Sequence, residues 1–143
     1  MNGEVSIMKN EYLQWLEKEF NTSPDWQLLG ITMDELEAGR ARIKMSVQKQ
    51  HLNSNGVVHG GATASLLDSV IGVTIRSMKD VKVATISLTT QFLAPVKEGI
   101  LYAEAKMIHE GRRIQYVESI LTQEDGSVVA KALGTFSIKQ RIS

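Results

Sequence analysis

The spacing of apolar and polar residues along the chain predicts a fixed order of helices and strands. Apolar side chains recur at helical spacing over residues 9–20, where Tyr12, Trp15, Leu16 and Phe20 share one side. Ser23 and Pro24 then suit the start of a short second turn. A much longer helix is predicted over residues 60–78, after a turn-rich loop over residues 48–58.

The remaining patterned segments have the period of two that is typical of strands. Residues 30–37 and 40–47 predict a hairpin, and the second strand places Ala41, Ile43, Met45 and Val47 on one face. Such alternation is typical of an antiparallel strand with one side in water. Four further strands are predicted after the long helix, over residues 82–94, 100–109, 112–123 and 127–139, separated by turns rich in Gly, Pro and Asp.

The long helix is apolar on nearly every side, which is typical of a buried helix. It nevertheless carries a carboxylate, Asp68, and no residue within one helical turn offers a countercharge. We expect this side chain to be buried, and a desolvated carboxylate is a stronger base than a solvated one.

This order of elements predicts an α+β fold in one domain, residues 1–143, with a helical N-terminal segment over residues 1–29 and a core over residues 30–139. A curved sheet of about six strands can cover one side of the long helix. The other side needs a second layer, and a partner subunit in a two-fold dimer is the plainest supply.

Composition narrows the possible partners. Lys and Arg number 16, as do Asp and Glu, so the net charge of zero gives no bias toward nucleic acid or anionic membranes. The absence of Cys excludes disulfides and thiolate zinc sites. His51, His59 and His109 are too scattered to predict a metal site. We see no secretory signal and no apolar run of the ~20 residues that a membrane span needs, so we expect a cytoplasmic protein.

One group of residues resembles a known family. His51-Leu52-Asn53, Gly56, His59-Gly60-Gly61 and Asp68, at these spacings, are similar to hotdog-fold acyl-CoA thioesterases of the phenylacetate-pathway (PaaI-like) type. The resemblance implies a curved antiparallel sheet wrapped around one central helix, with a short N-terminal helix ahead of it. It also implies a homodimer, or a dimer of dimers, with active sites between subunits. The implied reaction converts acyl-CoA to free acid and CoA without a cofactor, because coenzyme A is part of the substrate.

The resemblance assigns roles to several residues. Asp68 is the expected general base or nucleophile, and the alternative is a carboxylate bonded to the backbone or to Ser65. Gly60 and Gly61 open the helix, where unpaired amides can stabilise an oxyanion or simply permit a tight turn. The Gly60 amide is the implied principal donor, with the His59 amide beside it, and Asp68 is expected to work with Gly60 of the other subunit.

The remaining assignments stay open between function and structure. The His59 ring is expected to shape the oxyanion loop or face the thioester sulfur, with direct acid–base work as the alternative. Asn53 either lies near the reacting carbonyl or stabilises its loop. Thr85 aligns with a hydroxyl that orients the attacking water, although with Ser87, Thr89 and Gln91 it would also make a polar outer face. Gly111, Arg112 and Arg113 resemble a turn beside the coenzyme A phosphates, or form a solvated hairpin tip.

Three other functions are alternatives to thioester hydrolysis. A hydratase would use a different Asp/His loop pattern, which the chain lacks. A transcriptional acyl-CoA sensor would need a DNA-binding module, and residues 1–29 are too short for one. A non-catalytic acyl-CoA-binding or scaffold protein on the same fold remains the main alternative.

Overall fold

The computed structural model describes residues 2–141, with side chains from residue 10 onward. The elements are α1 (Asn2–Asn21), α2 (Pro24–Leu29), β1 (Ile31–Glu37), β2 (Arg40–Ser46), a 3-10 turn (Lys49–His51), α3 (Gly60–Met78), β3 (Val81–Phe92), β4 (Ile100–Glu110), β5 (Ile114–Gln123) and β6 (Val128–Gln140). The predicted order and the bounds of the long helix are confirmed. Helix α1 begins at Asn2, earlier than the predicted start at residue 9; Met1, Ile142 and Ser143 lie outside the described residues.

The six strands form one antiparallel sheet in the order β1-β2-β4-β5-β6-β3. Helix α3 lies against this sheet, and Leu66, Leu67, Val70 and Val73 are fully buried. The predicted inward face of β2 is confirmed, since Ala41, Ile43 and Met45 pack in the same core. The sheet therefore wraps α3, as predicted, and fixes the positions of the side chains that α3 carries.

Part of the second layer over α3 comes from the chain itself and not from a partner subunit, which was the plainest expected supply. Leu16 of α1 and Trp26 of α2 are buried in the core. The Tyr12 hydroxyl donates to the Arg76 carbonyl at 2.6 Å and so ties α1 to α3. Burial, with a smaller effect of Asp80, raises the pKa of Tyr12, so its hydroxyl remains a donor. Leu28, expected to face inward, is 79% exposed.

Strand β3 contains an irregularity that changes which residues share a face. Its pairing with β6 shifts between Thr85 and Ser87, so Ile86 is an extra residue. A bulge of this kind reverses the alternation beyond it. Thr85 therefore faces α3, whereas Ser87, Thr89 and Gln91 face away. The prediction that these four residues share a polar outer face is wrong.

Strand β3 also forms one edge of the sheet. Ile86, Phe92 and Leu93 on or beside this edge are each more than half exposed. A long edge strand with exposed apolar side chains is a surface that favours pairing with another strand. Within residues 2–141, no helix has the length and apolar character to cross a membrane.

Candidate active site

The loop before α3 is held by its own backbone and by Asn53. The Asn53 amide donates to the Val57 carbonyl at 2.8 Å, and the Gly56 amide donates back to the Asn53 carbonyl at 3.0 Å. Gly56 has a φ of 75°, which only glycine adopts readily. The Asn53 side-chain oxygen accepts from the Asn55 and Val57 amides at 2.9 and 3.3 Å. This oxygen therefore stabilises the loop, which leaves only the side-chain NH₂ group of Asn53 for a substrate.

His51 fixes the start of the same loop. Its buried ring accepts from the Gln48 amide at Nδ1, at 2.9 Å, so the proton lies on Nε2. Nε2 is 2.6 Å from the Leu29 carbonyl and donates to it. The His51 ring thus joins the end of α2 to the loop, and its backbone carbonyl is aimed at the start of α3.

The three backbone amides at the start of α3 differ in whether they have a hydrogen-bond acceptor. The His59 amide donates to the His51 carbonyl at 2.8 Å, and the Gly61 amide donates to Nδ1 of the His59 ring at 2.7 Å. Among the hydrogen bonds of residues 2–141, the Gly60 amide has no acceptor. The expectation that the His59 amide assists Gly60 is therefore wrong, and the Gly61 amide is not free for a substrate either. Gly60 alone of the three presents an unpaired N–H.

The His59 ring has a defined proton position because of this cap. Nδ1 accepts from Gly61, so the neutral ring carries its proton on Nε2, which faces solvent with the exposed side chain. A ring whose Nδ1 is occupied cannot accept a second proton there without losing the cap. This geometry favours the role of shaping the oxyanion loop.

Gly60 opens into an apolar cavity of about 350 Å³. Phe92 and Leu93 at the end of β3 line it, together with Val57 and Val58 of the loop and Pro95. A Cβ atom on Gly60 would lie 3.3 Å from the Phe92 ring, so glycine allows close approach to the amide.

Asp68 lies in a different cavity, of about 530 Å³. The Thr85 hydroxyl donates to Asp68 Oδ1 at 2.7 Å, whereas the Ser65 hydroxyl donates to the Gly61 carbonyl. Asp68 is only half-buried in the single chain, which corrects the expectation of full burial. The physical reason is that α1 and α2 arch over this face of α3 and leave a space instead of packing against it.

Comparison with known proteins decides the family. Residues 55–130 match the model of the thioesterase superfamily. The chain belongs to the thioesterase superfamily. A "putative esterase" of Saccharolobus solfataricus is 32% identical over 114 residues, covering 79% of this chain and 76% of the relative. Membership of this superfamily makes the protein a thioester hydrolase.

Solved structures agree on the fold. A conserved protein of Pseudomonas aeruginosa is 31% identical with a TM-score of 0.80, covering 85% of this thioesterase and 98% of the relative. A mutant of the phenylacetic acid degradation protein PaaI from Thermus thermophilus is 24% identical with a TM-score of 0.75, covering 80% and 98%. The resemblance to PaaI-like hotdog thioesterases is thereby confirmed for the fold.

The thioesterase does not bring all the predicted residues together. Asn53, His59, Gly60 and Gly61 surround the start of α3, and of these only Gly60 lines the apolar cavity. Asp68 and Thr85 line the other cavity together. Arg112 and Arg113 are exposed at the β4–β5 turn, in the lining of neither cavity. A Cβ on Gly111 would lie 2.4 Å from the Ile114 carbonyl oxygen, so this glycine serves the turn. Binding of coenzyme A phosphates by these arginines stays a prediction.

Two of the residues that line the cavities were not identified from the sequence. Phe92 lines the Gly60 cavity from the edge strand, and Arg76 lines the Asp68 cavity from the same helix as Asp68. Arg76 had a visible signal, because it is the other charged residue of α3. No group of three His, Asp or Glu side chains among the described residues has the arrangement of a metal site.

Proposed function

We propose that the protein hydrolyses acyl-CoA thioesters, with Asp68 as general base or nucleophile and the Gly60 amide of a second copy as oxyanion donor. As a base, Asp68 takes a proton from water while the water oxygen attacks the thioester carbonyl. The C–S bond then breaks, and the thiolate of coenzyme A takes up a proton. As a nucleophile, Asp68 attacks the carbonyl itself, the C–S bond breaks to release the coenzyme A thiolate, and water hydrolyses the resulting mixed anhydride to free acid and Asp68. In both routes the carbonyl oxygen becomes negative and needs an N–H donor.

The carrying observation is that the single chain holds each half of this apparatus but cannot align the two halves. Gly60 and Asp68 lie on the same helix, and eight residues at the rise of an α-helix span ~12 Å. A thioester carbonyl that accepts from an amide must lie within ~3 Å of it and close to the attacking group. One copy's Gly60 and Asp68 therefore cannot serve the same carbonyl.

Strand β3 supports the way in which a second copy completes the site. Thr85, beside Asp68, and Phe92, beside Gly60, lie on this one edge strand. If two β3 edges pair antiparallel about a two-fold axis at Thr89, positions equidistant from the axis lie opposite each other and share a face of the sheet. Ile86, the bulged residue next to Thr85, then lies opposite Phe92 of the other copy, which brings Asp68 toward Gly60 of the second copy.

Mixing two inactive variants tests the function and the pairing together. Asp68→Asn removes the base, and Gly60→Pro removes the N–H. Proline suits the first helical position, and His59 before it has the extended φ and ψ of −61° and 137° that proline requires. We expect each variant alone to release almost no free thiol from acyl-CoA. After subunit exchange, a mixture should recover about a quarter of the wild-type rate, because half the dimers are mixed and each has one intact site.

The outcomes separate the parts of the proposal. Wild-type protein that releases no thiol from a panel of aryl and aliphatic acyl-CoA thioesters contradicts hydrolysis. If such protein still binds acyl-CoA by calorimetry, the non-catalytic binding protein is the correct alternative. A silent mixture, with exchange verified by differently tagged subunits, contradicts the shared site, as does a stable monomer in sedimentation at micromolar concentration.

A further inference from the structure

Arg76 is a half-buried cation that the proposed chemistry does not use. It lies on α3 and lines the Asp68 cavity. Its Nε and Nη2 atoms are shielded from solvent and have no hydrogen-bond partner among the described residues. A shielded N–H group without an acceptor is unfavourable, because no oxygen replaces its lost hydration. These two unpaired N–H groups of Arg76 therefore call for an explanation.

The neighbours of Arg76 compensate only part of this cost. The guanidinium lies 5.8 Å from the centre of the Trp15 ring and 5.3 Å from that of Phe20, so both rings attract it weakly. Glu19 and Asp25 line the same cavity. Within the part of the chain that the structure describes, neither forms an ion pair with Arg76. The guanidinium therefore remains without a countercharge beside an open space.

Asp68 and Arg76 line the same cavity at two points along α3. Asp68, Gly72 and Arg76 follow one another at four-residue intervals and therefore lie on one face of α3. Gly72 and Val83 of β3 both line this cavity, and Gly72 adds no side chain to it. Arg76 lies ~12 Å along the helix from Asp68. The long Arg76 side chain leans toward the helix N-terminus and so toward Asp68, although the shorter Asp68 side chain leans the same way.

We propose that Arg76 binds a carboxylate at the far end of the acyl group, so that the preferred substrates are thioesters of dicarboxylic acids. This inference rests on the proposed function, because it places the thioester carbonyl at Asp68. The acyl chain then runs past Gly72 in a cavity whose lining is partly apolar, with Val81 and Val83, and partly charged, with Lys82 and Arg141. Its terminal carboxylate supplies the countercharge that Arg76 lacks, and a guanidinium matches a carboxylate with paired hydrogen bonds.

Adipyl-CoA and hexanoyl-CoA are a matched pair of probes, because their acyl chains are equally long and only adipyl ends in a carboxylate. Binding is measured by calorimetry in the Asp68→Asn protein, which removes turnover from the readout. We expect adipyl-CoA to bind roughly 10- to 100-fold more tightly, the range for hydrogen bonds to a charged group. Equal affinity for the two probes, or tighter binding of hexanoyl-CoA, overturns the proposal without the need for any variant at Arg76.

Variants of Arg76 then test whether this residue causes the preference for adipyl-CoA. Arg76→Met keeps the apolar stem and should abolish the preference for adipyl-CoA. Arg40→Met is the matched control, because Arg40 is an exposed arginine of β2 that pairs with Glu35 of β1. The preference for adipyl-CoA should persist in this variant. If Arg76→Met retains the preference, another group binds the carboxylate. If that variant does not fold, Gly72→Ala replaces it. An added Cβ would lie 3.7 Å from Val83, an ordinary contact, and should weaken adipyl-CoA binding but leave acetyl-CoA binding unchanged.

A structural role for Arg76 predicts a different result. If the guanidinium serves only to anchor α1 through Trp15 and Phe20, Arg76→Met lowers the melting temperature and the two probes bind equally. Thiol release by the wild-type protein is recorded separately. Failure to hydrolyse either probe contradicts the proposed function, while the ratio of their affinities still decides the role of Arg76.

Discussion

The two working regions of α3 are built in different ways. At its start, the donor is a backbone N–H, and hydrogen bonds within residues 51–61 leave the Gly60 amide unpaired. At its middle, the acid is a side chain, and Asp68 is held by Thr85, which is 17 residues away on the edge strand. The first region is local, because its donor is a backbone group and the side chains that hold it, His51, Asn53 and His59, lie in the same loop. The second depends on how the sheet and the N-terminal helices pack around α3.

A single copy of the chain completes the first region but not the second. The start of α3 is finished within one chain, because its loop satisfies the His59 and Gly61 amides internally. The Asp68 region is incomplete, because its cavity is open and the unpaired Gly60 amide of the same copy lines a different cavity. A thioester beside Asp68 would therefore lack an oxyanion donor from that copy. Substitutions can therefore test each region separately, and the sizes of the effects should differ.

The largest effect is expected from Asp68→Asn. The amide has the shape of the carboxylate but cannot take a proton or attack the carbonyl. We expect kcat for thiol release to fall roughly 10²- to 10⁴-fold, the usual contribution of a general base, while KM changes little.

Asp125→Asn is a matched control for Asp68→Asn, since this exposed acid bonds Ser127 at the β5–β6 turn and lines neither cavity. It should keep the wild-type rate. If Asp68→Asn also keeps that rate, the comparison collapses, because the amide end alone would then carry the reaction.

A smaller effect is expected at Thr85. Thr85→Val keeps the shape and removes the hydroxyl that donates to Asp68 Oδ1. Loss of a hydrogen bond to a charged group should lower kcat roughly 10- to 100-fold. Thr85→Ser restores the hydroxyl and should restore most of the rate. If Thr85→Ser lowers kcat as much as Thr85→Val, the methyl group is needed as well as the hydroxyl, and if Thr85→Val keeps the wild-type kcat, the hydroxyl is not needed.

The contrast between the regions also explains what could be predicted from the sequence. The bounds of α3 and the oxyanion loop were predictable, because helix periodicity and the contacts of residues 51–61 are local. Asp68 stood out because a carboxylate in an apolar helix needs a reason. Thr85 entered only through the family resemblance, since nothing in the local pattern of β3 distinguishes it.

The remainder depends on distant pairing. The bulge at Ile86 arises where β3 meets β6, about fifty residues further along the chain, so alternation alone assigned Thr85 to the wrong face. The space around Asp68 exists because α1 and α2 cover α3 incompletely, which no local periodicity reports. Arg76 was predictable in principle, because it stands out in α3 for the same reason as Asp68.

The smallest effect on rate is expected from His59→Ala, which tests whether the oxyanion loop owes its order to a cap and not to acid–base chemistry. The substitution removes the acceptor of the Gly61 amide. Loss of a helix cap should lower the free energy of unfolding by about 0.5–2 kcal/mol. The rate should fall by less than tenfold, because the Gly60 amide remains in place.

His59→Asn is the matched rescue, since a short amide can also cap a helix, and it should recover most of the lost stability in chemical denaturation. A loss of activity in His59→Ala as large as that in Asp68→Asn, with unchanged stability, would make His59 a proton-transfer residue. The start of α3 would then be chemically active through a side chain, and the division between a backbone region and a side-chain region would be wrong.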